Sequence, residues 1–267
     1  MNYRELIEPV IALASEAGDR ILEVYATDFD VQSKEDESPL TQADLASHKI
    51  IVAGLAVLTP LIPIISEEEG LPDFAERRRW RRYWLIDPLD GTKEFVNRNG
   101  EFTVNIALIE NHRPVFGVVR VPVQKKTYLG CEGYGAERRE DGSAAKTIRV
   151  AETVSEPARV VGSRSHRGAS LDAYLDNLGK FDLVPMGSSL KFCVVAEGGA
   201  DVYPRLGLTS EWDTAAAQAV VEQAGGSVVE LDGKPLSYNK KEDILNPWFI
   251  VIGAADRDWL ALLPDGE

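Results

Sequence analysis

The chain has 267 residues, 44% of them hydrophobic and 27% charged, and a net charge of -14. This length supports a full hydrophobic core, and the composition is that of an ordinary globular protein. The negative charge argues against a nucleic-acid partner, which needs a basic face, but not against a phosphorylated small molecule, because bound cations reverse the field of an acidic pocket. Cys131 and Cys193, the two cysteines, offer no disulfide framework, which favours a reducing cytoplasm.

No membrane-spanning helix is predicted. The longest apolar stretch, residues 50–65, is shorter than the roughly 20 residues that a spanning helix needs, and Pro60 and Pro63 interrupt it. Association with the inner face of the membrane, and the choice between a monomer and a homodimer, stay open.

In chain order, the pattern predicts two helices and then mostly strands. Apolar residues recur at helical spacing up to about Tyr25, and a second helix is expected over Ala43–Leu58 with Thr41 as its N-cap. A short strand, Ile62–Ile65, and the central strand ending at Asp87 follow. The arginine-rich run 77–82 between them is interpreted as a solvated loop. Alternating patterns then predict strands over residues 102–109, 115–123 and 126–131.

Beyond residue 157 helices and strands alternate, which is typical of an α/β domain. We therefore expect an α+β lobe over residues 1–157 and an α/β lobe over residues 158–267, with the functional site at their interface. The helix expected to begin at Glu211 carries small residues that allow close packing.

The strongest functional signal lies at the end of the central strand. An apolar run stops at Asp87-Pro88, where proline ends a strand, and Asp90-Gly91 is a turn signal before a helical turn at Thr92. Two carboxylates can thus meet beside backbone amides that accept an anion. This arrangement suits hard cations held between carboxylates and a phosphate. A plain Asx-Pro turn is the alternative.

Two further acidic points reinforce this interpretation. Glu67 follows the short strand, with Glu68 as an alternative ligand, and Asp213 lies in the first turn of a helix. A solvated loop and a helix-dipole partner are the respective alternatives. Together the acids could form a magnesium cluster of the kind that assists phosphoryl displacement. The hydroxyl of Thr92, backed by Asp44 as the base, could then accept the proton of the attacking water.

Four blocks of sequence resemble the inositol monophosphatase superfamily of metal-dependent, lithium-sensitive phosphatases. They are Thr41-Gln-Ala-Asp44, Ser66-Glu-Glu68, Trp84-Leu-Ile-Asp-Pro-Leu-Asp-Gly-Thr92 and Glu211-Trp-Asp-Thr-Ala215. Within the superfamily, the chain is most similar to the bacterial 3'(2'),5'-bisphosphate nucleotidases. That similarity rests on the extended segment Asp87–Asn105, on Ser163–His166, on Gly187–Cys193 and on Tyr203-Pro-Arg205.

The resemblance implies a layered αβαβα sugar-phosphatase sandwich that holds two or three Mg²⁺ ions. The implied metal ligands are Glu67, Asp87, the Leu89 carbonyl, Asp90 and Asp213. Thr92 and Asp44 would activate the water, with Glu67 as a further catalytic group. The implied substrate-binding residues are Leu89, Asp90, Gly91, Thr92, Ser163, His166, Ser188, Lys191, Arg205 and Asp213.

The resulting hypothesis is a hydrolase that removes the 3'-phosphate of adenosine 3',5'-bisphosphate, a by-product of sulfur metabolism, to give AMP. The same chemistry on inositol monophosphate or fructose 1,6-bisphosphate is the nearest alternative. The residues at Ser163–His166 and Lys191 favour the nucleotide. A non-catalytic protein that binds cations or a phosphorylated ligand is a second alternative, but it need not keep Thr92 and Asp44.

Overall fold

A computed structural model describes residues 1–27, 39–162 and 168–264 of the chain. In this part the helices are α1 (Ile7–Tyr25), α2 (Pro39–Leu58), α3 (Phe74–Arg77), α4 (Thr92–Val96), α5 (Ala169–Leu178), α6 (Leu190–Ala196) and α7 (Glu211–Gln223). Short 3-10 helices cover Tyr3–Leu6 and Leu260–Leu262.

The strands of the same residues form two sheets. They are β1 (Ile64–Ser66), β2 (Arg82–Asp90), β3 (Thr103–Glu110), β4 (Arg113–Val121), β5 (Lys126–Cys131), β6 (Gly135–Glu140), β7 (Lys146–Thr147), β8 (Ala158–Gly162), β9 (Phe181–Pro185), β10 (Val202–Arg205), β11 (Ser227–Glu230) and β12 (Phe249–Ile252). Strands β1 to β7 are neighbours in chain order, whereas the second sheet has the order β11-β12-β10-β8-β9. Only the β1–β2 pair of the first sheet is parallel among these strands.

The elements stack in the five layers that the αβαβα prediction requires. Helices α1 and α2 share one apolar core with the outer face of the first sheet. The inner faces of both sheets enclose α6 and α7 in a second core. Helix α5 and Trp259 cover the remaining face of the second sheet. The predicted fold class is therefore confirmed, while the division into lobes at residue 157 stays a prediction.

Because helices cover both faces of the first sheet, its central strands are buried throughout. Every residue of β3 is buried, and so is all of β4 except Arg113. Such strands carry near-continuous apolar runs instead of a simple alternation. The alternating pattern that the sequence suggested for this region identified strands correctly but not the burial of both faces.

The central strand continues past its proline, contrary to the sequence-based expectation. Pairing between β2 and β3 runs to Asp87 opposite Asn105, shifts register, and resumes at Asp90 opposite Thr103. Pro88 cannot donate a ladder hydrogen bond, so the strand accommodates it with an irregularity. Asp87 and Asp90 lie on either side of this irregularity, near the end of β2.

Helix α7 lies unusually close to the first sheet. A methyl group added to Gly117 of β4 would meet the Ala216 carbonyl oxygen at 2.2 Å, and one added to Gly130 of β5 would meet that of Ala219 at 2.3 Å. The glycines of the sheet and the alanines of the helix thus allow backbone to approach backbone. The predicted close packing fixes the N-terminus of α7, where Asp213 lies.

The first two helices differ slightly from their prediction. Helix α1 ends at Tyr25 as expected, but α2 begins at Pro39, so Thr41 lies inside the helix and is not its N-cap. Among the described residues, none of the helices is both long and apolar enough to traverse a bilayer.

Candidate active site

The acidic loop after β1 and the end of β2 meet because the two strands are parallel. Ser66 pairs with Ile86, and the Glu67 N–H donates to the Ile86 carbonyl at 3.2 Å. Strands that run in the same direction end at the same edge of a sheet, so Glu67 stands beside Asp87. Their carboxyl groups form a hydrogen bond with each other.

Asp87 is the most deeply buried acid of the site, with only 1% of its surface exposed. Its Oδ1 accepts the Leu89 N–H at 3.0 Å, which closes the turn around Pro88. Burial raises the pKa of Asp87 well above its usual range, and the charges of Asp90 and Glu67 raise it further. A carboxyl in this position binds a cation favourably, because the cation removes the repulsion among the acids.

Glu67 is less enclosed, since much of the residue faces solvent. Loss of water around its carboxyl group raises its pKa, the hydrogen bond with Asp87 opposes the rise, and the charges of Asp90 and Glu68 add to it. Glu68 turns instead toward Asp44. Glu67 therefore interacts with the Asp87 and Asp90 carboxyls, and the choice of Glu67 over Glu68 as the metal ligand stays a prediction.

Helix α2 brings Asp44 to the same edge. Two contacts fix the helix there: Ser47 Oγ donates to the Pro88 carbonyl at 2.8 Å, and His48 Nδ1 lies 2.9 Å from Ser66 Oγ. Burial and the charges of Glu68 and Glu67 raise the pKa of Asp44 to about 8. Its hydrogen bond is with Glu68, and its buried Oδ1 has no hydrogen-bond partner.

Asp213 is the third residue of α7 and takes part in its N-terminal cap. Its Oδ2 accepts the Ser210 N–H at 3.0 Å, and the Ser210 side chain accepts from the Asp213 N–H in return. This is a capping box, which holds both side chains in place. Burial and the charge of Asp90 raise the pKa of Asp213 to about 7.

Asp90 is turned toward the chain segment just before α6. Its Oδ2 accepts from Ser188 Oγ, from the Ser189 N–H at 2.6 Å and from Ser189 Oγ at 2.6 Å. Gly91, with a φ of 94°, turns the chain into α4 in a conformation that disfavours a side chain. Thr92 opens that helix and is exposed, and among the hydrogen bonds of the described residues none joins its hydroxyl to Asp44.

Six of the predicted substrate residues line a cleft of about 170 Å³, namely Asp90, Gly91, Ser188, Lys191, Arg205 and Asp213, whereas Leu89 and Thr92 do not. Ser188 sits there with a φ of 51°, a strained conformation of the kind that clusters at functional sites. Lys191 Nζ donates to the Ser188 carbonyl at 3.0 Å, and Arg205 Nη2 donates to the Leu208 carbonyl at 2.5 Å. Ser163 and His166 lie outside the described residues.

The donor set suits a hard cation, although within the described ranges no three acidic, histidine or cysteine groups are arranged ready to enclose a metal ion. Each carboxyl is instead drawn to a neighbouring donor or acid. Carboxylate oxygens are nevertheless the ligands that Mg²⁺ prefers, and in this cluster the neighbouring charges help to raise the pKa of Asp87 and of Asp213. The buried Asp44 Oδ1 has no hydrogen-bond partner, so it could still accept from a donor or bind a cation.

Comparison with known proteins identifies the family. Residues 2–255 match the model of the inositol monophosphatase family. The chain belongs to the inositol monophosphatase family. It is 50% identical over 248 residues to the 3'(2'),5'-bisphosphate nucleotidase CysQ of Escherichia coli strain K12, which covers 92% of the chain and 99% of that relative. The CysQ of Aggregatibacter actinomycetemcomitans is 38% identical, over 95% of each chain.

Solved structures of this family share the fold. The crystal structure of CysQ from Bacteroides thetaiotaomicron, described as a bacterial member of the family, superposes with a TM-score of 0.83 at 43% identity, over 96% of this chain and 99% of that one. An inositol monophosphatase from Zymomonas mobilis gives a TM-score of 0.78 at 22% identity, over 98% of both chains, and supports the fold alone. The family is generally metal-dependent, and the metal is usually Mg²⁺.

Sequence reasoning assigned no role to several polar residues that contact Asp90 and its surroundings. They are Thr103, Asn105 and Ser189, together with Glu101, whose Oε2 accepts the Gly187 N–H at 2.8 Å. One signal was available for the strand residues: Thr103 and Asn105 are two apart, so they share a face of β3.

Proposed function

We propose that the protein is a magnesium-dependent phosphatase that removes the 3'-phosphate of adenosine 3',5'-bisphosphate, giving AMP and phosphate. The observation that carries the proposal is the 50% identity, over 92% of the chain, to relatives named 3'(2'),5'-bisphosphate nucleotidase CysQ. The acidic cleft described above supports it. The protein has a net charge of -14, so a negatively charged phosphorylated substrate needs bound cations to offset the repulsion in an acidic pocket.

The ions would be held by oxygen donors from three elements. Asp87, Asp90 and the Leu89 carbonyl belong to β2, Glu67 follows β1, and Asp213 opens α7. When bound, Mg²⁺ supplies positive charge to the phosphoryl oxygens and lowers the pKa of the attacking water. Asp87 is already held by burial and by the Leu89 N–H in the folded protein, so it does not have to be reoriented when an ion binds.

Asp44 and Thr92 would handle the proton of the attacking water. Without a cation, a pKa of about 8 leaves the Asp44 carboxyl mostly protonated at neutral pH. Positive charge bound at the site would lower that pKa, and the resulting carboxylate could accept the proton. Asp44 now bonds to Glu68, so the proposed pair requires Asp44 to exchange that partner for the Thr92 hydroxyl. The backbone N–H groups of Gly91 and Thr92, at the start of α4, would donate to the substrate phosphate. Glu67 would be a further catalytic group.

The cleft beside Asp90 would hold the nucleotide and its second phosphate. Arg205 presents a planar donor group suited to a phosphate, and its buried Nε has no hydrogen-bond partner. Lys191 adds a second cation and lies 5.8 Å from the centre of the Tyr203 ring. Ser188 adds a hydroxyl, and Ser163 and His166 remain predicted contacts.

The chain is also proposed to act in the cytoplasm. Cys131 and Cys193 are free and buried, as a reducing compartment allows.

The decisive experiment measures phosphate release by the purified protein from adenosine 3',5'-bisphosphate, inositol 1-phosphate and fructose 1,6-bisphosphate. Each substrate is tested with Mg²⁺, with a chelator, and with Mg²⁺ plus lithium. We expect magnesium-dependent, lithium-sensitive release with strong preference for the nucleotide. Preference for a sugar phosphate would keep the metal site and refute the nucleotide assignment. No release from any substrate would favour a protein that only binds cations or a phosphorylated ligand.

A further inference from the structure

Strand β3 places two polar side chains directly behind the acids of β2. Thr103 pairs with Asp90 and Asn105 pairs with Asp87 across the ladder. Because they are two residues apart, both side chains lie on the same face of β3. That face meets Ser189, the residue before α6, which comes from the second half of the chain.

A directed chain of hydrogen bonds runs from Asn105 through Ser189 to Asp90. Asn105 Nδ2 lies 2.7 Å from Ser189 Oγ, and Ser189 Oγ lies 2.6 Å from Asp90 Oδ2. An amide nitrogen can only donate, so the serine oxygen accepts at that end. The single hydroxyl proton of Ser189 is therefore directed to Asp90.

The surroundings make this chain of bonds consequential. Thr103, Asn105 and Ser189 are 0%, 1% and 2% exposed, so these three side chains make their hydrogen bonds almost entirely within the protein. Thr103 Oγ1 adds contacts of 3.2 Å to Ser189 Oγ and 3.4 Å to Asp90 Oδ2. Buried, mutually bonded polar groups fix one orientation of the side chains they contact.

The result is an asymmetric environment for the two oxygens of Asp90. Oδ2 accepts bonds from Ser188, Ser189 and Thr103, which leaves Oδ1 as the oxygen that can be presented to a cation. We infer that Ser189 and Asn105 are positioning residues, which orient Asp90 so that Oδ1 faces the metal. This inference rests on the proposed metal site. It also links that site to the substrate cleft, since Ser189 lines both.

The test is a double-mutant cycle on the affinity for Mg²⁺, measured by isothermal titration calorimetry without substrate. Residues that orient metal ligands from behind typically change metal affinity by about 10- to 100-fold. We expect Ser189→Ala and Asn105→Ala each to raise the Kd for Mg²⁺ about 10-fold. Because both residues act through the Ser189 hydroxyl, the Kd of the double variant should be about equal to the larger of the two single-variant Kd values.

Two further variants separate positioning from a general loss of structure. Ser189→Thr keeps the hydroxyl and should retain the wild-type Kd within about 2-fold, while Ser143→Ala, at an exposed turn, should change nothing. In steady-state assays, the magnesium concentration at half-maximal rate should rise with the Kd in Ser189→Ala, while kcat at saturating Mg²⁺ recovers. A merely structural defect would lower kcat at every magnesium concentration.

The outcomes also distinguish this inference from the proposed function. If the wild-type protein binds Mg²⁺ and hydrolyses the nucleotide but Ser189→Ala keeps its Kd, only the positioning role is refuted. If the increases in Kd of the two single variants multiply in the double variant, the two residues act independently, and the shared chain of hydrogen bonds is refuted. A wild-type protein that binds no Mg²⁺ would overturn both proposals.

Discussion

The close approach of α7 to the first sheet makes Gly117→Ala an informative change. The added methyl group would stand 2.2 Å from the Ala216 carbonyl oxygen, about 1.2 Å short of ordinary contact at 3.4 Å. The obstacle is the backbone of a buried helix, which cannot swing aside as a side chain can. Overpacking a core typically costs about 1–3 kcal/mol, and we expect about 3 kcal/mol here.

For a chain of this size, a loss of about 3 kcal/mol lowers Tm by roughly 6–12 °C. Circular dichroism at 222 nm during heating measures that shift. The matched control is Gly207→Ala, where an added methyl group would meet nothing within 4 Å, and its Tm should stay within about 2 °C of wild type.

The same change should reduce activity beyond its effect on stability. Asp213 lies at the N-terminus of α7, so a helix displaced by about 1 Å moves a proposed metal ligand, and misplacement of this size can cost about 100-fold in rate. A Gly117→Ala protein with the wild-type Tm and wild-type turnover would refute the argument that glycine at this position sets the height of α7 above the sheet.

Two further predictions concern single aspartates. Asp90→Asn should abolish turnover while Tm stays within a few degrees of wild type, because the amide keeps the shape but loses the charge that holds a cation; full activity would rule out the proposed site. Asp201, fully buried, has its pKa raised by burial, but hydrogen bonds from the Arg159 side chain, from the Arg159 N–H and from the Ser155 N–H lower it more, so the net pKa is lowered. Its contribution to stability is therefore present above the unfolded-state pKa of about 3.9 and is lost as pH falls through the folded pKa. Urea unfolding should show a large difference between wild type and Asp201→Asn at pH 7 and a smaller one at pH 3, and equal differences would contradict the assignment.

Local signals predicted the positions of acids well, since each lies where an element begins or ends. Asp87 lies near the end of an apolar strand, and Asp213 falls in a first helical turn that Ser210 caps. What those signals could not supply is orientation. The sequence-based hypothesis pairs Asp44 with Thr92, whereas in the structure the Asp44 carboxyl interacts with Glu68, whose charge raises the pKa of Asp44 in addition to burial.

The arginine-rich run shows the same limit. Residues 77–82 were interpreted as a solvated loop, yet Arg77 is buried and bonds to Asn239 and to the carbonyls of Lys241 and Glu242. These partners lie more than 160 residues away in the chain. A run of charges carries no information about such distant carbonyls, so composition alone favours the solvated interpretation.

The sequence contains more information about the position of α7 than the sequence-based hypothesis used. The residues of α7 from Thr214 to Val221 are all buried, and most of them are small. The polar side chains of Thr214 and Gln218 are buried as well and bond to Tyr238, so the helix lies between two layers and not on the surface of one lobe. Since α7 carries Asp213 and packs between both sheets, the proposed site lies where this helix meets the end of β2. The predicted boundary at residue 157 separates two stretches of sequence, but the proposed chemistry needs a helix from the second stretch packed against the sheet of the first.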